Sequence, residues 1–274
     1  MPMIHIKNNL LVIKEGTESL RNGGQHLDPA VADDTVSQIA ELWERGIVTV
    51  LVTSGAIAMG RSHCQSHWRD DRPFTKSALA SIGAWPLLSY WGNAFLKYNL
   101  LIGQGWVTYA SLNNMWERGM FVKGVRTLLG LRTVPVIDEN DFLADEEIRA
   151  LEKGFGDNDS LAFRVAIHIQ AGAILFISDT DGFYTEDPKL NPEARRYKTI
   201  NARRIPAHLM EGRTADGVSR GGVQSKILSA AKCAKNGMYV GVSRQSVGKR
   251  TIVGFMEGKT TGTFVRARGN TTLA

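Results

Sequence analysis

Residues 155–188 read FGDNDSLAFRVAIHIQAGAILFISDTDGFYTEDP, in which an acid- and amide-rich loop, a helix, an apolar run and an acidic turn follow one another. The run Ala173–Ile177 has strand length and no polar residue, which predicts a central parallel strand covered on both faces. It ends at Ser178–Gly182, the end of a strand where open α/β sheets bind ligands. An ordinary turn and a helix with Asp159 as its N-cap would explain the same stretch without a site.

The length and composition favour a large α/β protein with an anionic ligand. With 274 residues the chain can bury a core as one domain or two lobes. The net charge of +6 suits a nucleotide or a nucleic acid. The basic residues are dispersed among apolar positions without an aromatic platform, so nucleic-acid binding is the weaker interpretation.

The cysteines and the hydropathy pattern predict a cytoplasmic protein. Cys64 and Cys233 are the two cysteines, and they form no Cys-x-x-Cys motif, which favours structural thiols in a reducing compartment. No apolar stretch reaches membrane-spanning length, so we expect no membrane contact.

Alternating strand and helix patterns predict the fold class. Apolar runs at Leu10–Ile13, Val48–Val52 and Thr133–Ile137 read as buried strands. Helical spacing separates them, including a helix that opens at Asp28–Pro29. The pattern therefore predicts a three-layer αβα sandwich with a mainly parallel central sheet. Further predicted elements are a strand over 100–108, helices over 76–98 and 113–129, a helix from Lys226 towards Asn236, closing strands at Met238–Val242 and Thr251–Phe255, core positions at Trp85, Leu88 and Trp91, and a frayed tail beyond Val265.

Polar groups follow several of these strands. Lys14, Gly16 and Thr17 come after the first, and they combine an ammonium, close backbone approach and a hydroxyl, as phosphate binding requires. The second strand leads into the small residues of Thr53–Gly60, where a ligand can touch the backbone, although a plain tight turn fits too. The third ends in Asp138–Asp141, four acid or amide groups that could also be a solvated loop.

A later glycine-rich loop precedes a helix that carries a lysine. Residues 217–222 read GVSRGG, and Lys226 follows one turn into the helix. Amide groups at a helix N-terminus together with a lysine make a phosphate cradle. The Gly-Lys-Thr order of a Walker loop is absent.

The order of these motifs resembles the amino acid kinase family, and within it the glutamate 5-kinases, from Leu11 to about Val265. The matching segments are Lys14 with Gly16 and Thr17, VTSGAIAMG at 52–60, PVIDEND at 135–141, GDND at 156–159, SDTDGFYTEDP at 178–188, and SRGGVQSK at 219–226.

The resemblance implies a role for each matched residue. It gives Lys14 and Lys226 the catalytic lysine positions and Asp159 the task of organising them. The substrate-binding positions that it implies are Ser54, Gly55, Asp141 and Asn158. The nucleotide-binding positions are Gly16, Thr17, Ser178, Asp179, Tyr184, Gly221, Gly222 and again Lys226. No residue is assigned as a metal ligand.

The implied reaction is phosphorylation of the side-chain carboxylate of glutamate by ATP with Mg²⁺, giving an acyl phosphate. A carboxylate acceptor is already ionised at neutral pH, so no general base is needed and the six histidines have no catalytic role. The labile product implies a reductase as a downstream partner. A homo-oligomer is also expected.

The resemblance also divides the chain. It implies one kinase domain over 1–266, with an acceptor lobe over about 1–170 and a nucleotide lobe over about 171–266, followed by a tail at 267–274. We expect a member without the RNA-binding-like C-terminal domain of many glutamate 5-kinases.

Departures from the family pattern leave two alternatives. Asp138 replaces a usual asparagine, Ser178 a common threonine and Arg220 a threonine, and the segments 83–85 and 122–124 also differ. These changes allow the same chemistry on a glutamate analogue. A nucleotide-sensing or RNA-binding module without turnover is the other alternative, but Lys14, Asp159 and Lys226 are all retained.

Overall fold

One eight-stranded sheet forms the centre of the fold in the computed structural model, which describes residues 2–64, 73–143, 158–188, 190–211, 221–259 and 262–267. Its order is β3-β4-β2-β1-β5-β7-β8-β6. Neighbouring strands are parallel except for the antiparallel pair β7 and β8. The strands are β1 Leu10–Glu15, β2 Val48–Val52, β3 Leu101–Val107, β4 Thr133–Glu139, β5 Ala173–Ser178, β6 Thr199–Asn201, β7 Tyr239–Arg244 and β8 Thr263–Arg266.

The helices lie mostly where the apolar spacing predicts them. They are α1 Thr17–Arg21, α2 Pro29–Glu44, α3 Ala56–His63, α4 Pro73–Leu96, α5 Tyr109–Asn113, α6 Met115–Gly130, α7 Asn158–Ile169, α8 Gly221–Lys235 and α9 Thr251–Met256. Asp28 caps α2 as predicted, since its Oδ1 accepts from the amide of Ala30 at 2.9 Å. None of the helices described here combines the length and the apolar character that crossing a membrane requires.

Alternation along β1 divides the core between the two faces of the sheet. Leu11 and Ile13 pack in a cluster with residues of α2, α4 and α9, while Leu10 and Val12 pack in a second cluster with residues of α7 and α8. Helices therefore cover both faces, which confirms the three-layer αβα sandwich. The next two residues of the strand, Lys14 and Glu15, continue the alternation and face opposite sides.

One predicted strand and one predicted core position are wrong. Thr251–Phe255 is not a strand but the start of α9, because Oε1 of Gln38 accepts from the amides of Ile252 at 2.8 Å and Val253 at 3.3 Å and so satisfies the helix N-terminus. The closing strand is β8 instead. Trp85 is 72% exposed, whereas Trp91 on the same helix is fully buried as predicted.

Two glycines let α3 and α4 pack in backbone contact. A methyl group at Gly60 would overlap the carbonyl of Leu79, and one at Gly83 would overlap the carbonyl of Ala56. Gly55, just before α3, has φ +120°, a conformation that side chains disfavour. The start of α3 is therefore fixed by the absence of side chains at three positions.

Candidate active site

The loops that carry the predicted site residues meet at one edge of the sheet. In the parallel register Lys14 of β1 is opposite Val52 of β2 and Phe176 of β5, and Val52 is opposite Ile137 of β4. The carboxyl ends of these four strands therefore lie side by side. This is the edge at which open α/β sheets bind ligands.

Asp159 joins two lysines from distant parts of the chain. Its Oδ1 lies 2.8 Å from Nζ of Lys14, and its Oδ2 lies 2.8 Å from Nζ of Lys226. The Lys14 and Asp159 side chains are buried, and that of Lys226 is 14% exposed. A carboxylate between two ammonium groups leaves one net positive charge. This charge lies at the carboxyl ends of the strands.

The two ammonium groups also set the ionisation of Asp159. Burial alone would raise the pKa of its carboxyl group, but the charges of Lys14 and Lys226 outweigh burial and lower the pKa to about 2. Asp159 lies in the first turn of α7, which begins at Asn158. The prediction that Asp159 is an N-cap is therefore wrong, because its carboxylate bridges the lysines.

Asn158 connects α7 to the loop after β2. Its Nδ2 donates to the carbonyl of Thr53 at 3.3 Å, and the neighbouring Ser54 Oγ donates to the carbonyl of Glu15 at 3.4 Å. Gly55 follows directly. The structure thus brings Ser54, Gly55 and Asn158 together beside the end of β1.

A cavity of about 260 Å³ borders this loop. Asp141 is buried in its wall, and Ala56, the residue after Gly55, also lines it. Trp106 and Asp138 are opposite one another on β3 and β4 and both line the cavity. The other lining residues are Ala80, Ser81, Ala84, Glu139, Asn140, Phe142 and Leu143.

The glycines of the two predicted phosphate loops lie next to Lys14 or at the start of the helix that carries Lys226. A methyl group at Gly16 would lie 3.3 Å from Nζ of Lys14, so glycine keeps the space next to this ammonium open. Thr17 begins α1. Gly221 and Gly222 begin α8, one turn before Lys226, and a methyl group at Gly222 would meet nothing within 4 Å. The preceding residues 212–220 lie outside the described residues, as do Gly156 and Asp157.

The acidic turn after β5 forms a hydrogen-bonded group of its own. Ser178, the last residue of β5, donates through Oγ to Oδ1 of the exposed Asp179 at 3.1 Å. The hydroxyl of Tyr184 donates to Asp181, which also pairs with Arg196 at 3.4 Å. Partial burial and then Asp181 raise the pKa of Tyr184. Ser178 therefore shares the edge with Lys14, while the hydroxyl of Tyr184 contacts Asp181, the ion-pair partner of Arg196.

Sequence reasoning gave no role to three residues at this edge. Thr53 accepts from Asn158 through its carbonyl and from Nε1 of Trp91 through its hydroxyl, at 2.9 Å. Trp106 faces the cavity from a strand that was predicted without a function. Glu15 is fully buried behind Lys14. Its signal is a second charged residue, directly after Lys14, at the end of an apolar strand.

This chain resembles known proteins in sequence and in fold. A family profile described as "Amino acid kinase family" matches residues 9–242. The glutamate 5-kinase of Nitrosomonas eutropha is 32% identical over 257 residues, covering 94% of this chain and 67% of that protein. The glutamate 5-kinase of Thermus thermophilus is 36% identical over 262 residues, with the same two coverages.

Solved structures share the architecture at low identity. The UMP kinase of Ureaplasma parvum superposes with a TM-score of 0.63 and 17% identity, covering 95% of this chain and all of that chain. The isopentenyl phosphate kinase of T. acidophilum has a TM-score of 0.63 and 13% identity, covering 94% of this chain and all of that chain. At such identities the likeness concerns the fold alone.

Proposed function

This chain belongs to the amino acid kinase family, and from that premise we propose that it transfers the γ-phosphoryl group of ATP to the side-chain carboxylate of glutamate. The chain spans about two thirds of the glutamate 5-kinases reported above. The observation that carries the proposal is the carboxylate of Asp159 held 2.8 Å from both Lys14 and Lys226. Phosphoryl transfer asks a protein mainly to position two anions and to neutralise charge, and paired buried ammonium groups supply that charge.

The reaction forms one bond and breaks another. An oxygen of the glutamate side-chain carboxylate attacks the γ-phosphorus, and the bond from that phosphorus to the bridging oxygen of ADP breaks. The attacking group is already ionised, so no proton has to be removed. Lys14 and Lys226 stabilise the charge that spreads over the transferred group. Asp159, with its pKa lowered to about 2, stays ionised and keeps both lysines in place.

In this proposal the amino acid lies between the loop after β2 and the cavity. Ser54, Gly55 and Asn158 bind its amino-acid head together with Asp141, whose carboxylate suits an ammonium partner. Support comes from the cavity, which contains Asp141 in its wall and borders Gly55 through Ala56. The two lobes then divide the work, with about residues 1–170 holding the acceptor and 171–266 the nucleotide.

The nucleotide lies at the two glycine-rich helix starts and the turn after β5, along Gly16, Thr17, Gly221 and Gly222. Ser178, Asp179 and Tyr184 line the remainder of its site. The open space at Gly16 and the buried ammonium of Lys14 fit a polyphosphate group. Mg²⁺ bound with ATP would screen the phosphate charges through phosphate oxygens and water, so no protein ligand is assigned to it.

The proposed chemistry also implies where the protein acts and with what. We also propose that the reaction takes place in the cytoplasm, where ATP is available as the donor. An acyl phosphate hydrolyses readily, so we propose a reductase that consumes it. A homo-oligomer remains a prediction.

The test is product trapping. The purified protein is incubated with ATP, Mg²⁺, glutamate and hydroxylamine, and the γ-glutamyl hydroxamate is quantified beside the Asp159→Asn variant. We expect hydroxamate and ADP in equal amounts from the parent protein and a large loss in the variant. Nucleotide binding without hydroxamate would contradict glutamate as the acceptor.

A second candidate is the same transfer to a glutamate analogue. Asp138 and Trp106 favour it, because a carboxylate and an indole line the cavity where the resembled kinases usually have an amide at position 138. The extra carboxylate disfavours an anionic group near that wall. A competition assay with amino diacids and their amides separates the two candidates, since hydroxamate from an analogue but none from glutamate would select the second.

A further inference from the structure

Glu15 is a buried carboxyl group that the proposed transfer does not use. It lies between Lys14 and Gly16, and its exposed fraction is zero. Alternation along β1 turns Lys14 towards Asp159 on α7 and turns Glu15 towards α2. The residue thus stands directly behind the phosphate-binding end of the strand.

A directional chain of hydrogen bonds holds the Glu15 side chain. The hydroxyl of Thr35 on α2 donates to Oε2 of Glu15 at 3.2 Å. That hydroxyl in turn accepts from Nε2 of Gln245 at 3.2 Å, and the same nitrogen donates to Asp34 at 2.7 Å. Asp34 also accepts from the amide of Gly248 at 2.8 Å. The chain therefore links β1 to the segment that follows β7.

The charges around Glu15 do not stabilise its ionised form enough to offset burial. Among the described residues, the charged or titratable groups that act on it are Lys14 on its own strand, Asp34 on α2 and Tyr90 on α4. Burial raises the pKa of Glu15 to about 8, with Asp34 adding to the rise and the Thr35 hydrogen bond and Lys14 opposing it. At neutral pH the carboxyl group is mostly protonated.

We propose that Glu15 is a positioning residue whose proton is coupled to nucleotide binding at Lys14. The Thr35 hydrogen bond fastens the Glu15 carboxyl group, and with it the end of β1, to α2. In its neutral form this group leaves the charge of Lys14 for Asp159 and the phosphates. Ionised Glu15 places a negative charge beside Lys14 and opposes an incoming polyphosphate. By linkage, the polyphosphate favours the protonated form, so binding takes up a proton from solvent once Glu15 begins to ionise.

This inference rests on the proposed function only in taking Lys14 as part of the nucleotide site. The experiment therefore measures binding and not turnover. Mg²⁺–ATP is titrated calorimetrically into the protein without amino acid, from about pH 7.5 to about pH 9.5, where the phosphates of the nucleotide are already fully ionised. Buffers of different ionisation enthalpy report the protons taken up.

For the parent protein we expect affinity to fall about five- to tenfold over this range, with net proton uptake near pH 8. In Glu15→Gln, which keeps a neutral hydrogen-bonding side chain, both effects should disappear. The matched control is Glu18→Gln on α1, whose side chain is 67% exposed, and it should behave as the parent.

A second variant tests the same coupling without altering the carboxyl group. Thr35→Val removes the donor that favours the ionised form, so the pH at which affinity begins to fall should move upwards. Parallel pH profiles in the parent, Glu15→Gln and Thr35→Val would overturn the coupling while leaving the proposed function intact. Absence of Mg²⁺–ATP binding in the parent and in Glu18→Gln would overturn both.

Discussion

The two faces of the sheet at the end of β1 hold buried carboxyl groups in opposite states. On one face Asp159 lies between Lys14 and Lys226, and its pKa falls to about 2. On the other face Glu15 has a hydroxyl as its hydrogen-bond partner, and its pKa rises to about 8. Burial is nearly the same for both, so the difference comes from the partners. One strand end thus presents a fixed charge on one side and a neutral support on the other.

Lys226→Met should have the largest effect, because it removes a charge from the ionised face, the side of the sheet with Lys14, Asp159 and Lys226. The neutral face is the side with Glu15 and Thr35. We expect kcat for hydroxamate formation to fall about a thousandfold, as for the loss of one donor to a developing charge, while ATP affinity weakens modestly. Steady-state kinetics measure both. The control is Lys235→Met, at the exposed end of the same helix. Equal turnover in the two variants would remove Lys226 from the mechanism.

Asp159→Asn should have the next largest effect, on stability. It leaves two mostly buried ammonium groups without their shared counter-charge, and we expect the free energy of unfolding to fall by about 3 kcal/mol. Urea denaturation at neutral pH measures the change. Asp33→Asn breaks the exposed pair with Lys97, 2.6 Å long, and should cost less than about 1 kcal/mol. Similar losses in the two variants would mean that the bridge is no more than a surface ion pair.

The pH dependence of stability should distinguish the faces by sign. The folded-state pKa of Glu15 lies above its ordinary value of 4.5, so the free-energy cost of keeping it protonated while the unfolded chain ionises is absent below about pH 4.5 and grows until about pH 8. Glu15→Gln should therefore unfold like the parent in acid and become more stable than the parent, by about 2 kcal/mol, at pH 8. If the parent instead gained stability relative to Glu15→Gln as the pH rises, ionised Glu15 would be stabilising. It would then behave like Asp159, whose contribution to stability is lost only as the pH falls through about 2.

Gln245→Leu should have the smallest effect and confine it to the neutral face. It removes donors to Asp34 and Thr35, and we expect a loss of about 1 kcal/mol in the free energy of unfolding. At pH 7, kcat should change less than about twofold, because the ionised face keeps its contacts. A drop in kcat well beyond twofold at pH 7 would show that the neutral face affects turnover and that the two faces are not independent.

The sequence predicts the ionised face well and the neutral face poorly. The strands β1, β2, β4 and β5 are continuous apolar runs, and polar groups at the ends of parallel strands must share an edge. The convergence of Lys14 with Asp159 and Lys226 follows from that topology. Glu15, by contrast, finds its support on α2 and on the segment after β7, and no local pattern indicates either partner.

Local sequence patterns also give wrong predictions where residues distant in the sequence determine the structure. Thr251–Phe255 has the length and composition of a strand, yet Gln38 satisfies its first amides and it forms a helix. The helical spacing around Trp85 predicts a buried face, but α4 carries apolar side chains on more than one face, and of the predicted core positions Trp85, Leu88 and Trp91 only Trp91 is fully buried. Asp159 has the sequence context of a cap, and two remote lysines give it another task.

The backbone contact between α3 and α4 limits how the proposed acceptor site can diverge. Because Gly60 and Gly83 accept no side chain, descendants that retain this fold inherit the contact between α3 and α4 behind Ala56 unchanged. The β3–β4 side of the cavity, with Trp106 on an edge strand and Asp138 beside it, has no such backbone contact at its glycines, which meet only side chains. Mutational drift and laboratory selection for new acceptors should therefore accumulate changes on the β3–β4 side of the cavity, and libraries directed there will retain more folded members than libraries directed at α3.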